Sequence, residues 1–272
     1  MAFVAFNSFQ HMVGSKIKPK TTAVVVASTP FVPTSITGCQ LWLDANDSAS
    51  LVLSGSTLTT WNDKSGNLRN ATKYQTVAPS YSATGFNNLP GIVMSTGQSL
   101  YAPMPASTCS TAISVFIVFI KTGAADNFET IFTRTTGGAK DAPIDLYNAT
   151  RSTTSTQQNY YFSSFNIATA TSATLFDIVV TPTNWSEWAN GTSMMNATIS
   201  GYADTATKFF IGTRDDNGVK FTGAIGEIIV YNTAVSTTDR QTIEGYLAWK
   251  WGLQSNLPVG HTYKTAAPVT VG

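Results

Sequence analysis

Charge is scarce in this chain. Asp, Glu, Lys and Arg make up 11% of its 272 residues, against about 25% in ordinary globular domains. Sixteen basic and fifteen acidic residues leave a formal net charge of +1. A protein that grips nucleic acid by bulk phosphate neutralisation needs a basic surplus, so that class is excluded. A disordered tail is excluded too, because such tails combine low hydrophobicity with high net charge, whereas 43% of this chain is hydrophobic. Two cysteines, Cys39 and Cys109, are too few for a disulfide framework. They either bond to each other or stay as buried thiols. No stretch approaches the ~18 apolar residues of a membrane span. The two histidines, His11 and His261, lie near opposite ends, so a Ser-His-Asp or Cys-His arrangement has almost no raw material.

What fills the polar positions instead is Thr, Ser and Asn. A hydroxyl- and amide-rich surface on a β-prone chain suggests an extracellular or assembly protein. Sequons at Asn70, Asn148, Asn184, Asn190 and Asn196 do not settle the compartment, since a composition this rich in Asn, Ser and Thr produces them by chance.

Residues 1–35 show no consistent period and contain Pro19, Pro30 and Pro33. Lys16, Lys18 and Lys20 precede the apolar run Ala23–Ala27. That run is shorter than the ~7–15 residues of a secretory leader. The reading is an extended N-terminal arm whose adhesive residues are Phe3, Phe6, Phe9, Val24, Val25 and Val26. Such a segment is expected to reach onto a neighbouring subunit, the alternative being a frayed end.

Residues 36–272 read as one domain of short strands divided by turns. Leu41–Leu43, Leu58–Trp61, Glu129–Thr133, Asn159–Ser163, Phe176–Thr181, Lys208–Gly212 and Ala224–Tyr231 are strand-like. Ile113–Ile120 is apolar on both faces and is expected to be a central strand. Asn190-Gly191, between Ser186–Ala189 and Thr192–Met194, is a hairpin turn, because both residues must take positive φ. One helix is expected. It starts at the N-cap Ser236 with Asp239 three residues on, places Ile243, Tyr246, Leu247, Lys250 and Trp251 at helical spacing, and stops at Gly252. The pattern predicts an all-β, two-sheet antiparallel β-sandwich with one C-terminal amphipathic helix.

Four sequence blocks resemble laminin-G-like, concanavalin A-like lectin/glucanase domains. They are Gly38–Ala45 with Thr60–Asn67, the Glu187–Gly191 hairpin, Phe221–Asn232, and Glu244–Leu253 followed by Leu257-Pro258 and His261–Tyr263. The last block is similar to the tails of such domains in structural proteins of large DNA viruses, and in some phage and bacterial surface proteins. The resemblance implies a jelly-roll strand order and a place in a virion.

Glycoside hydrolases of that superfamily carry Glu-x-Asp-x-Glu on one strand, which aims alternate carboxylates at one face. The motif is missing here. Glu227 is followed by Ile228–Val230 and Asp177 by Ile178-Val179, so each reads as a lone polar residue facing out. No catalytic residues are expected, and the chain is read as a protein without enzymatic activity. Asp215, Asp216 and Asn217 cluster oxygen donors in one loop and are the candidate calcium ligands, with Asp44, Asn46 and Asp47 as a lesser cluster; the alternative is a solvated turn. No other cofactor is expected. A glycan site needs an aromatic face beside amide or carboxyl groups on an exposed surface. Asn184, Trp185 and Tyr202, with Tyr101, are the candidates, while Trp42, Trp61, Trp188, Trp249 and Trp251 read as packing residues.

The expected function is a minor capsid or particle-surface protein, assembled through its arm onto other virion proteins or onto copies of itself. The alternative is a carbohydrate-binding module, extracellular or at a cell surface, that attaches to host or surface glycans.

Overall fold

The structure is a computed structural model and describes residues 28–95, 97–123, 129–134, 144–148, 171–199, 202, 204–214 and 220–271. The arm residues Phe3, Phe6, Phe9, Val24, Val25 and Val26, the loop Asp215, Asp216 and Asn217, His11 and the strand expected at 159–163 lie outside them. Among the described residues there are seventeen strands. They are β1 (Ser28–Pro30), β2 (Cys39–Asp44), β3 (Leu51–Ser54), β4 (Thr57–Trp61), β5 (Ala71–Lys73), β6 (Ser80–Phe86), β7 (Leu89–Met94), β8 (Leu100–Pro103) and β9 (Ile113–Lys121). They continue with β10 (Glu129–Arg134), β11 (Ile144–Asn148), β12 (Thr174–Val180), β13 (Asn184–Ala189), β14 (Thr192–Thr198), β15 (Lys208–Ile211), β16 (Gly223–Tyr231) and β17 (Val269–Val271). One α-helix, α1 (Thr237–Lys250), lies between β16 and β17.

The strands pair antiparallel into a β-sandwich. One layer is built on β16, which pairs with β9 along one side and with β7 and then β2 along the other. Beyond β9 follow β12, β13 and β14. The second layer runs β11-β10-β15-β8-β5-β4, and β6 and β7 carry the ladder from one layer into the other. Leu41, Val115, Ile117, Phe119, Phe176 and Ile228 of the first layer share one core with Leu58, Leu100, Ala102, Phe132, Phe209 and Ile211 of the second.

The two-faced apolar run Ile113–Ile120 is explained by its cover on both sides. Side chains alternate across a strand, so Val115, Ile117 and Phe119 enter the core between the layers. Phe116 and Val118 point to the outer face, and α1 lies against this strand and β12. The chain enters α1 through Ser236, whose Oγ accepts from the Asp239 amide at 3.0 Å and donates to Asp239 Oδ2 at 2.8 Å. It leaves through Gly252 at φ +70°. The β13–β14 turn has Asn190 at φ 49° and Gly191 at φ 73°, the two positive values this hairpin requires.

The sandwich begins earlier than the sequence suggests. β1 pairs with β17, and Phe31 and Pro33 are buried, so the final stretch of the expected arm is an integral part of the domain. The ladder couples residues 241 positions apart, which no local pattern reveals. Both cysteines are free thiols, and burial pushes each up to about 12.

Gly245 shows how tightly the tail packs on α1. A Cβ there would lie 2.5 Å from Tyr263 Cβ and 2.7 Å from its Cγ. Alanine favours a helix over glycine by about 1 kcal/mol, but the overlap reverses the sign. Gly245→Ala is expected to lose about 1–3 kcal/mol, read as a lower denaturant midpoint with an unchanged slope.

Candidate functional site

Three of the four blocks singled out in the sequence, Gly38–Ala45 with Thr60–Asn67, Phe221–Asn232 and Glu244–Leu253, meet at one buried carboxylate. Glu227 of β16 is fully buried. Its Oε1 accepts from Trp42 Nε1 at 2.6 Å and from the Tyr246 hydroxyl at 2.8 Å. Its Oε2 accepts from Trp251 Nε1 at 2.7 Å and pairs with Lys250 Nζ at 2.7 Å. Lys250 also meets Asp44 Oδ2 at 2.8 Å, and Lys64 bridges Asp44 at 2.9 Å and Asp47 at 2.7 Å. The Lys64 ammonium lies 4.2 Å from the centre of the Trp42 ring. Burial raises the Glu227 carboxyl, with Lys250 pulling against it. The network ties β2, the segment after β4, β16 and α1 together, so these motifs fasten the helix to the sheet. Glu227 therefore does not face solvent as its sequence context suggests. Asp44 and Asp47, in the lesser candidate calcium cluster, are held by lysines, and among the described residues no group of acidic, His or Cys side chains is arranged to hold a metal.

A second cluster sits under the same helix. Asp177 of β12 is also fully buried, again opposite to the expectation from its flanks. Among the described residues no donor reaches either of its oxygens. Burial, followed by the neighbouring Glu244 carboxylate, raises it well above the usual carboxylate range. Glu244 in turn accepts from Arg240 and lies 2.9 Å from His261 Nε2. The Arg240 guanidinium lies 4.1 Å from the Trp188 ring centre.

The expected glycan residues do not form a surface. Trp185 is 1% exposed, lies within β13 rather than in a loop, and donates from Nε1 to Glu187 at 2.7 Å. Tyr202 is 6% exposed, and its hydroxyl donates to the Cys109 carbonyl at 3.0 Å. Asn184 is half-buried and bonds Asn196 Oδ1 at 2.7 Å. With their ring faces covered, Trp185 and Tyr202 have nothing to offer a sugar. Of the packing tryptophans, Trp42, Trp61 and Trp251 are buried as expected, whereas Trp249 is 36% exposed.

Tyr101 has the setting the others lack. It lies on the outer face of the second layer, in a row of directly paired residues. The row runs Val52 (β3), Thr60 (β4), Thr72 (β5), Tyr101 (β8), Phe210 (β15) and Thr133 (β10). At the usual strand spacing these six positions extend roughly 24 Å. The row is open at Val52, which is 46% exposed, half-buried through Thr60, Thr72 and Tyr101, and buried at Phe210 and Thr133. Tyr74, two residues after Thr72 and so on the same face, packs edge-on against Tyr101 (centroids 6.0 Å apart) and Phe210 (4.8 Å). Lys208, two residues before Phe210, is exposed, and its ammonium is 5.2 Å from the Tyr101 ring centre and 5.9 Å from those of Tyr74 and Phe210. Tyr101 reads as one more residue in a turn-rich stretch; only the pairing brings it between two threonine-bearing strands and a lysine.

No protein-family profile and no curated protein sequence matches the chain. Several solved structures share its fold. Domain 4 of the GH43 extracellular arabinanase AbnA from Geobacillus stearothermophilus, in complex with arabinotriose, superposes with a TM-score of 0.53 at 14% identity, over 74% of this chain and 95% of that one. Trypanosoma rangeli sialidase in complex with sialic acid gives 0.54 at 12% identity, over 82% of this chain and 36% of the sialidase. A GH54 α-L-arabinofuranosidase gives 0.51 at 16% identity, over 91% and 63%. The chain thus spans about a third of the sialidase and under two thirds of the arabinofuranosidase. These likenesses overturn the expectation of a virion structural protein, since the neighbours come from carbohydrate-active proteins. They equally run against the expectation of a protein without enzymatic activity, because the neighbours are named for an arabinanase, a sialidase and an arabinofuranosidase. At these identities what is shared is the β-sandwich fold, one that carbohydrate-active proteins also use.

Proposed function

We propose that the chain is a carbohydrate-binding module of the jelly-roll, concanavalin A-like kind, acting on extracellular or cell-surface glycans. An oligosaccharide lies along the row from Val52 to Tyr101, with a sugar ring stacked on Tyr101 and its hydroxyls exchanging hydrogen bonds with Thr60 and Thr72. The observation that carries this reading is the row itself: a half-buried aromatic ring, packed edge-on by Tyr74, with Thr72 and then Thr60 beside it on one sheet face. Aromatic rings supply apolar area at low conformational cost and suit the C–H face of a sugar. Threonine hydroxyls both donate and accept, as sugar hydroxyls do. The four positions from Val52 to Tyr101 span roughly 14 Å, which suits two or three sugar units rather than one. The complex of the arabinanase domain with arabinotriose supports a carbohydrate role for a domain of this shape.

Calorimetric titration of the full chain against a panel of oligosaccharides tests the proposal. Tyr101→Ala is expected to weaken binding at least about ten-fold, or ~1.4 kcal/mol, while Tyr101→Phe keeps most of it. Trp185→Ala is expected to act on stability, not on affinity at constant fold. Binding that survives Tyr101→Ala unchanged would refute the assignment of this face.

A further inference from the structure

We infer that this face selects an acidic oligosaccharide, one that carries a carboxylate beside the ring stacked on Tyr101; the inference rests on the carbohydrate-binding reading of the same site. The argument starts from a comparison inside the molecule. Lys64 lies between an aromatic face and two acids, with Trp42 at 4.2 Å, Asp44 at 2.9 Å and Asp47 at 2.7 Å. Lys208 has the aromatic half of that arrangement, with three rings within 6 Å of its ammonium. Among the described residues it has no carboxylate partner, although Lys64, Lys121, Arg134, Arg240 and Lys250 each have one.

Alternation along β15 places Lys208 on the same face as Phe210, and register sets it opposite Pro103, two residues along β8 from Tyr101. The ammonium lies 5.2 Å from the Tyr101 ring centre, within reach of a carboxylate on a sugar at that ring. Contact with aromatic faces leaves a lysine's charge undiminished and its donors available. A sugar carboxylate arriving there gains an ion pair without breaking an existing one. A neutral sugar gains only a hydrogen bond and must still leave the cation hydrated at its edge. Charge complementarity of this kind sets specificity more than raw affinity.

The test titrates the full chain with a uronate oligosaccharide and with the same oligosaccharide after its carboxyl groups are reduced to alcohols. The acidic form is expected to bind about five-fold more tightly at low salt, the upper range for one exposed ion pair. That advantage should disappear in 0.5 M NaCl and in Lys208→Gln, and reverse in Lys208→Glu. Lys208 is exposed on the sheet face, so both variants should melt like the parent. Equal affinity for the two sugars, lost on Tyr101→Ala, would overturn the acidic preference and leave the carbohydrate-binding reading standing. Binding of neither sugar would overturn both.

Discussion

Glu227→Ala is expected to lower the stability of the domain by about 3–5 kcal/mol. The substitution removes one of the two carboxylates that pair with Lys250, leaving it only Asp44, and it strands three aromatic donors, Trp42 Nε1, Tyr246 Oη and Trp251 Nε1, away from bulk water. Each unmet buried donor costs about 1–3 kcal/mol, although the released groups share whatever water enters the space, so the costs do not add in full. Glu227→Gln keeps the shape and one of the two acceptor oxygens and should lose less. Guanidinium titration followed by tryptophan fluorescence measures the difference. The double variant Glu227→Ala with Lys250→Ala should recover some of the loss, since the cation that has lost one of its two carboxylate partners goes too. A loss below about 1 kcal/mol for Glu227→Ala would mean that packing alone docks α1.

The second large effect is one of pH. Asp177 is held well above the ordinary carboxylate range by burial and by Glu244. Its folded form therefore binds a proton that the unfolded chain gives up. A group raised in this direction makes stability fall as pH climbs from the unfolded carboxylate range toward the folded value, with a slope of up to about 1.4 kcal/mol per pH unit. The groups that face it are Glu244 and Arg240 from α1, with His261 of the tail on the far side of Glu244. Asp177→Asn removes the titration and places an amide donor beside Glu244. It is expected to flatten the decline and to be more stable than the parent at pH 8. Thermal melts from pH 5 to 9 decide it, and parallel profiles for the two proteins would sink the assignment.

Local signals in the sequence identified what is locally encoded. The continuous run Ile113–Ile120 marked the central strand β9, Asn190-Gly191 marked the β13–β14 turn, and Ser236 with Asp239 marked the start of α1. Each depends on residues within a few positions of one another. Glu227 and Asp177 were misread because alternation tells which face of a strand a residue takes, not what later covers that face. Here the cover is α1, which arrives from further along the chain. Pro182 and Thr183 suggest a loop around Trp185, yet β13 already begins at Asn184. The row across the second layer depends on five strand pairings, and short strands such as Ala71–Lys73 and Leu100–Pro103 carry too little periodicity to be noticed. The scarcity of charge was read as a property of the surface. Instead many of the few charges lie inside, among them Arg134, Asp204, Glu227, Arg240 and Glu244.

The clasp of β1 and β17 has a mechanical consequence. Ser28 faces Val271 and Pro30 faces Val269, so the outward ends of the two strands lie at the same end of a three-pair ladder. Tension applied to the flanks of the domain pulls across this ladder rather than along it, and its hydrogen bonds break in succession instead of together. Under load the clasp unzips first and acts as a slack element, while the layers behind it hold their shape.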